Sequence, residues 1–320
     1  MKDNSIEISS RGRWVRVPAW DVNGRTIIIR GRWIKTAVIH DEAWLATELE
    51  DPDLCVKTLT DQRSKGLHAD LFAFSQKPSA TLPRYKYHLE WDSLAVARTS
   101  SFKDWWENLP QETRKNVRRS QKRDVVIVTK QFDDDLVRDI VALNDRSPVR
   151  QGIPDSQFGK TFDEIKKDHS SFLDRSEFIC AYWGGELVGF LKLVYRGEVA
   201  SILNFAPSAA HQDKRPANAL IAKAIELCEA KGALCLTYGF FNYGNKRDSP
   251  LRDFKIRNGF TEVLTPRFYV PLTRWGGFCL KLKLHRGLLG ILPSRMITAG
   301  LSLRGKWYNF TSRNAGVAQR

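Results

Sequence analysis

Lys255 is the side chain whose setting most readily supports chemistry. It lies in SPLRDFKIRNGF, residues 249–260, where Pro250 opens a helix and Gly259 closes it. As a cation it can stabilise a developing oxyanion or a leaving group. The plainer reading is a lysine on a helix surface. A second constellation is wholly cationic. Arg114, Arg118 and Lys122 are spaced four apart, Lys115, Arg119 and Arg123 repeat that spacing one step round, and no acid falls within 114–123. On a helix these side chains gather on one broad face suited to phosphate, on tRNA or on a nucleotide. A solvated helix surface is the alternative. A third candidate is HQDKRPAN, residues 211–218, at the start of a predicted helix. A helix N-terminus can hold phosphate, and Lys214 and Arg215 add charge there, but Pro216 removes an N–H donor. His211 reads as a solvated loop histidine. No Ser-His-Asp set, metal cluster, Walker loop or GxGxxG occurs.

The elements that must position these groups follow from hydrophobic period and punctuation. Residues 26–39 read as a strand pair bent at Gly31, 41–50 as a helix, and 52–66 as a helix opened by Pro52 and ended by Gly66. Strands are predicted at 69–75 and at 85–91, the latter from strict alternation of Tyr85, Tyr87, Leu89 and Trp91. Ser101 caps a helix interrupted by Pro110, and the basic helix follows to Arg123. Then come a strand at 124–130, a helix at 133–144, a rigid loop at 146–160 suited to face a substrate, and a helix at 161–173. Strands at 178–183 and 186–195 are joined by Gly184–Gly185, a two-residue hairpin turn. A strand at 198–205, a helix to Ala230, a strand at 234–238, the 249–259 helix and a strand at 261–270 complete the run. The motif RGRW occurs at 11–14 and 30–33, and RGKW at 304–307. The favoured meaning is similar strand ends with Trp on a buried or interfacial face; a basic–aromatic nucleic-acid contact ranks below it.

The chain has 320 residues, 42% of them hydrophobic, and a net charge of +15, which allows about two packed domains and favours anionic partners. Its five cysteines are odd in number and lack CxxC spacing, so disulfides and zinc sites are not expected. The N-terminus shows no apolar signal segment and no run is long enough to span a bilayer, so a reducing cytoplasm, at most at the inner face of the membrane, is the expected compartment. Residues 271–320 carry nine Lys and Arg and no acid, interleaved with apolar side chains. Such a segment lies on an anionic membrane or packs its apolar side on the folded body.

From residue 124 the element order is β-α-α-β-β-β-α-β-α-β, which resembles the GCN5-related N-acetyltransferase (GNAT) fold over 124–270. YWGGELVGF looks like that family's second and third strands, and LRDFKIRNGF followed by TEVL looks like its closing helix, Gly-Phe and strand. The resemblance narrows to the FemABX-like and BioF2-like acyltransferases. Those carry a Phe-Lys pair before a Gly in this helix, here Phe254, Lys255 and Gly259, and a basic helix before a strand, here TRKNVRRSQKRDVVIV.

The resemblance implies an α/β (α+β) protein with a mixed sheet flanked by helices, in two tandem GNAT-like halves, the first degenerate. The expected domains are 1–123, 124–270 and a basic amphipathic tail at 271–320. It also implies a catalytic role for Lys255 and Phe254, and donor or substrate contacts by Ser201, Asn204, Lys214, Arg215, Asn218, Tyr238 and Tyr243. Arg114, Arg118 and Lys122 would hold phosphate. The implied activity is transfer of an acyl or aminoacyl group from acyl-CoA or aminoacyl-tRNA to an amine or hydroxyl, on a small molecule or a cell-envelope precursor, with no metal. The family's Q/R-x-x-G-x-G/A loop, which binds the CoA pyrophosphate, is replaced here by glycine-free HQDKRPAN, compatible with a different donor. The alternative function is a non-catalytic GNAT-like module binding RNA or an anionic membrane.

Overall fold

The computed structural model describes residues 5–10, 13–22, 24–40, 49, 51–77, 82–150, 153–242 and 249–287. The expected helix at 41–50, Tyr243 and residues 288–320 of the tail lie wholly or almost wholly outside them. In chain order the elements are β1 (Ser5–Ser10), β2 (Arg13–Val22), β3 (Arg25–Arg30), β4 (Thr36–Ile39), α1 (Pro52–Asp61), β5 (Leu71–Ser75), β6 (His88–Arg98), α2 (Phe102–Asn108) and α3 (Gln111–Lys122). They continue with β7 (Val126–Lys130), α4 (Asp134–Asp145), the short pair β8 (Val149–Arg150) and β9 (Ile153–Pro154), α5 (Phe162–His169), β10 (Ser176–Trp183), β11 (Glu186–Arg196) and β12 (Val199–Pro207). Last come α6 (Pro216–Ala230), β13 (Cys235–Phe240), α7 (Pro250–Arg257), β14 (Thr261–Pro271) and α8 (Arg274–Lys281). The fold is the expected mixed α/β one.

The chain divides into two compact units, 1–95 with 240–244 and 262–291, and 96–239 with 245–261 and 292–320. This groups α2 and α3 with the second unit, whereas the sequence reading drew its boundary after Arg123. The physical reason is side-chain bonding. Trp105 Nε1 donates to Asn258 O at 3.2 Å, and Thr113 Oγ1 donates to Arg257 O at 2.9 Å.

In the first unit β1, β2, β3 and β4 run antiparallel, β4 pairs parallel with β5, and β5 pairs antiparallel with β14. Its core gathers Ile27, Cys55, Leu59, Phe72, Phe74 and Phe268. The strand expected at 85–91 begins only at His88. Tyr85 and Tyr87 instead lie in extended chain and set their rings edge-on to Phe74, with centroids 5.6 and 6.1 Å away. An extended loop crossing an aromatic core produces the same alternation as a strand.

In the second unit β7, β10, β11 and β12 run antiparallel, and β13 joins β12 in parallel. Phe178 and Cys180 of β10 pack with Leu136 and Ile140 of α4 and Ile165 of α5. Ile179 and Ala181, fully buried and alternating with them, face the other side, where α6 packs. Gly184 and Gly185 adopt φ of +58° and +83°, as the two-residue turn requires. Asp133 and Thr161 cap α4 and α5, the latter with a full capping box to Glu164.

Gly259 ends α7 at φ +80°, and a Cβ there would lie 2.6 Å from Trp105 Nε1. Gly259→Ala is therefore expected to destabilise the second unit by about 2–4 kcal/mol, from backbone strain and displacement of the buried indole. Chemical denaturation followed by tryptophan fluorescence reads this directly. A midpoint unchanged from wild type would show that Trp105 yields without cost.

Candidate active site

The parallel pairing of β12 and β13 is short. It covers Val199–Cys235, Ala200–Leu236 and Ser201–Thr237 and goes no further. On its other edge β12 pairs Asn204 with Lys192 but Ile202 with Leu193, so Leu203 is an extra, bulged residue. A bulge bends its strand and ends regular pairing, and here the two strands separate beyond it.

The gap holds a cavity of about 340 Å³ lined by Phe205, Ser208, Ala217, Asn218, Tyr238 and Phe254, among others. Three of its rings form an aromatic wall. Phe205 meets Tyr238 edge-on with centroids 5.6 Å apart, and lies 5.8 Å from Phe254. A second, larger cavity of about 730 Å³ opens between α3, the start of α6 and α7. Arg215, Asn218, Pro250 and Phe254 border both cavities.

The start of α6 is shaped by its sequence. Gln212–Lys214 form a single 3-10 turn, Arg215 takes φ +58°, and Pro216 starts the helix. Lys214 N donates to His211 O at 3.0 Å and Arg215 N to Gln212 O at 3.1 Å. With Pro216 lacking an N–H, three successive positions offer no free backbone donor to a ligand. Lys214 itself turns away, to Asp213 at 3.4 Å and over the Trp183 ring at 4.5 Å.

Lys255 is fully buried although it is a lysine on a short helix. Its Nζ lies 4.6 Å from the centroid of the Tyr238 ring. It borders neither cavity; Tyr238 stands between it and the smaller one as a lining residue. Burial in a low-dielectric setting lowers its pKa from 10.5 to about 8. Lys255 is thus placed to act on the cavity through Tyr238 and through its field, while Phe254, its neighbour, touches both cavities.

Of the residues singled out by sequence, the fold brings Arg215, Asn218, Tyr238 and Phe254 to the cavities, with Lys255 behind them. Ser201 is fully buried and shares a 2.8 Å hydrogen bond with Thr237 Oγ1, which serves the strand pair. Asn204 hydrogen-bonds His169, whose pKa burial pushes down to about 4. His211 accepts or donates at Nδ1 to Ser208 Oγ at 3.1 Å.

The basic helix is divided. Arg119 pairs with Glu112 at 3.7 Å, Arg123 bonds the Asp213 carbonyl, and Arg118 lies over the Trp106 ring at 5.6 Å. Arg114, Arg118 and Lys122 do not border the cavities, whereas Glu112, Thr113 and Asn116 of the same helix border the larger one. Sequence reasoning missed Phe205, Gln212, Pro250 and Asn258. Asn258 accepts from Asn218 Nδ2 at 3.0 Å and so ties α6 to α7. The RNGF ending of α7, which carries Asn258, was the available signal.

The comparisons fit this geometry. Residues 144–246 match the acetyltransferase (GNAT) family. Among solved structures, a crystal structure of FemX aligns with TM-score 0.54 at 10% identity over 82% of this chain and 87% of that one. The C-terminal domain (DUF2156) of a putative lysylphosphatidylglycerol synthetase from Agrobacterium fabrum gives 0.54 at 14% identity, covering 88% of each. L-PGS from Bacillus licheniformis gives 0.54 at 15%, covering 84% of this chain and 87% of that one. A search of curated proteins yields no match. Residues 144–246 thus carry the match to the GNAT family, and over most of the chain the likeness to FemX and to the two lysylphosphatidylglycerol synthetase structures is one of fold.

Proposed function

We propose that the chain transfers an aminoacyl group from aminoacyl-tRNA to an amine or hydroxyl acceptor. The observation that carries this reading is the loop before α6, where Lys214 N and Arg215 N are bonded within the turn and Pro216 has no N–H, so three successive positions give a pyrophosphate no backbone donor. Two features fit an RNA 3′ end in place of CoA. The aromatic wall of Phe205, Tyr238 and Phe254 suits an unstacked terminal base. The exposed cations Lys115, Arg118 and Lys122 lie on α3, whose Glu112, Thr113 and Asn116 border the larger cavity.

In the step itself the acceptor attacks the ester carbonyl carbon, and an oxyanion forms. The carbon–oxygen bond to the ribose then breaks, and the released ribose hydroxyl takes the proton lost by the acceptor. The Lys255 charge, close to the site in a low-dielectric interior, favours the oxyanion. A cell-envelope acceptor is in keeping with the similarity to the C-terminal domain of a putative lysylphosphatidylglycerol synthetase. A second reading keeps acyl-CoA as donor, supported by the family match and by the cavity at the strand gap. The third, RNA binding without catalysis, is favoured by the position of Lys255 outside the cavity wall.

The test presents purified protein with a labelled pool of aminoacyl-tRNAs and, separately, with acetyl-CoA. Protein-dependent discharge of the tRNA esters is expected, with Arg215→Ala weakening tRNA binding about tenfold. Consumption of acetyl-CoA alone would select the second reading. Salt-dependent tRNA binding without discharge would select the third.

A further inference from the structure

Helix α8, in the first unit, is anchored on one side only. Gly276, Cys279 and Leu280 are buried, and any Cβ at position 276 would collide with the Asp70 carbonyl. On the other side Trp275, Phe278 and, just past the helix, Leu282 are 47%, 51% and 53% exposed. The rings of Trp275 and Phe278 stack with centroids 5.6 Å apart, and Trp275 Nε1 donates to Trp33 O at 3.4 Å. Trp33, which the sequence reading placed on a buried or interfacial face, is 85% exposed. Exposed Arg32, Arg274, Lys281 and Lys283 neighbour these rings in the chain.

Between Trp33 and the start of α8 opens a cavity of about 370 Å³ whose lining includes Lys35, Arg63, His68 and Thr273. Its one acid, Asp70, is already engaged. Its carboxylate accepts from Lys35 N at 2.8 Å and from Thr273 Oγ1 at 3.2 Å. The turn after α8 is pinned by Glu90, which meets His285 Nε2 at 2.8 Å and Arg286 Nε at 2.9 Å. The apolar face is therefore held outward by a fixed scaffold.

We propose that this surface docks the protein on an anionic phospholipid bilayer. One headgroup phosphate enters the Lys35–Arg63–His68 cavity, while Trp33, Trp275 and Phe278 settle at the headgroup–acyl boundary. Charge complementarity selects this occupant: residues 271–287 carry Arg274, Lys281, Lys283 and Arg286 and no acid. Aromatic rings flanked by cations are also the side-chain set that membrane interfaces favour. Each Lys or Arg brought to such a surface strengthens binding about fivefold. The proposal is independent of the donor reading, because it concerns attachment and not transfer.

The experiment is vesicle sedimentation of the full chain. It compares phosphatidylglycerol–phosphatidylcholine vesicles with pure phosphatidylcholine vesicles, with free tRNA and with inorganic phosphate as separate probes. Binding to the anionic vesicles is expected, falling at least tenfold in Trp275→Ala/Phe278→Ala and, independently, in Lys35→Glu/Arg63→Glu. Circular dichroism should be unchanged in both variants, and tRNA discharge unaffected. Absence of vesicle binding, equal binding to both compositions, or binding unchanged in both variants would overturn the proposal. So would tRNA binding lost in Lys35→Glu/Arg63→Glu without any vesicle binding, which would assign the face to nucleic acid. Saturable phosphate binding without vesicle binding would reduce the cavity to a small-anion site and overturn it as well.

Discussion

Lys255→Met is expected to slow transfer about 100-fold while leaving the protein as stable as wild type or more so. Lys255 acts through its field and not by contact, so the loss is placed at the low end of what removing a preorganised electrostatic group costs. The stability follows from the sign of the pKa shift. Lys255 is fully buried and its pKa falls from 10.5 to about 8. Between those values the unfolded chain binds more protons than the folded one, so stability rises with pH across that window. Below pH 8 the fold carries the whole penalty, roughly 3 kcal/mol. Methionine has a similar length and no charge, so it removes the penalty at pH 7, and its advantage shrinks as the pH rises from 8 to 10.5. The kinetic signature is equally specific. The ratio of wild-type to variant rate should fall about tenfold per pH unit above 8, as Lys255 loses its proton. A purely structural lysine would instead produce a lowered melting temperature and a pH-independent rate ratio.

Ala217→Trp should weaken donor binding by 100-fold or more with little effect on folding. Ala217 stands in the first turn of α6 and lines the smaller cavity beside Asn218. It is only half-buried, so the indole can extend into the gap between β12 and β13 without overpacking the core. The stability change should stay within about 1 kcal/mol. Donor affinity, measured by filter retention of aminoacyl-tRNA, is the readout. Undiminished affinity would place the donor elsewhere, and the larger cavity bordered by Asn116 and Arg257 would be the next candidate.

Much of this was legible in the sequence, and the reasons are local. Pro250, Lys255 and Gly259 mark a short capped helix, and the Gly184–Gly185 turn sets its hairpin unaided, because both depend on few neighbouring residues. The order of elements from 124 onward was equally readable. The direction of Lys255 was not. A charged residue on an eight-residue helix ordinarily points to solvent, and only the packing of α7 against Tyr238 and the strands beneath turns it inward. The bulge at Leu203 was illegible for a related reason. It depends on the register between β11 and β12, a long-range property with no signature in NFAP. Ser201 and Asn204 illustrate the same limit. They sit on the right strand, but alternation and the bulge commit their side chains to Thr237 and His169. Trp33 is the converse case. Its motif RGRW reads as a strand end, yet Gly31 at φ +98° turns the chain so that the indole projects into solvent.

The gap between β12 and β13 is the proposed seat of acyl transfer. Single-turnover mixing of labelled aminoacyl-tRNA with wild type and with Ala217→Trp, in the presence of an amine acceptor, tests this most directly. Label moving from tRNA to acceptor with wild type, and remaining on tRNA with the variant, is the expected result. Transfer at equal rates by both proteins, or by neither, would contradict it.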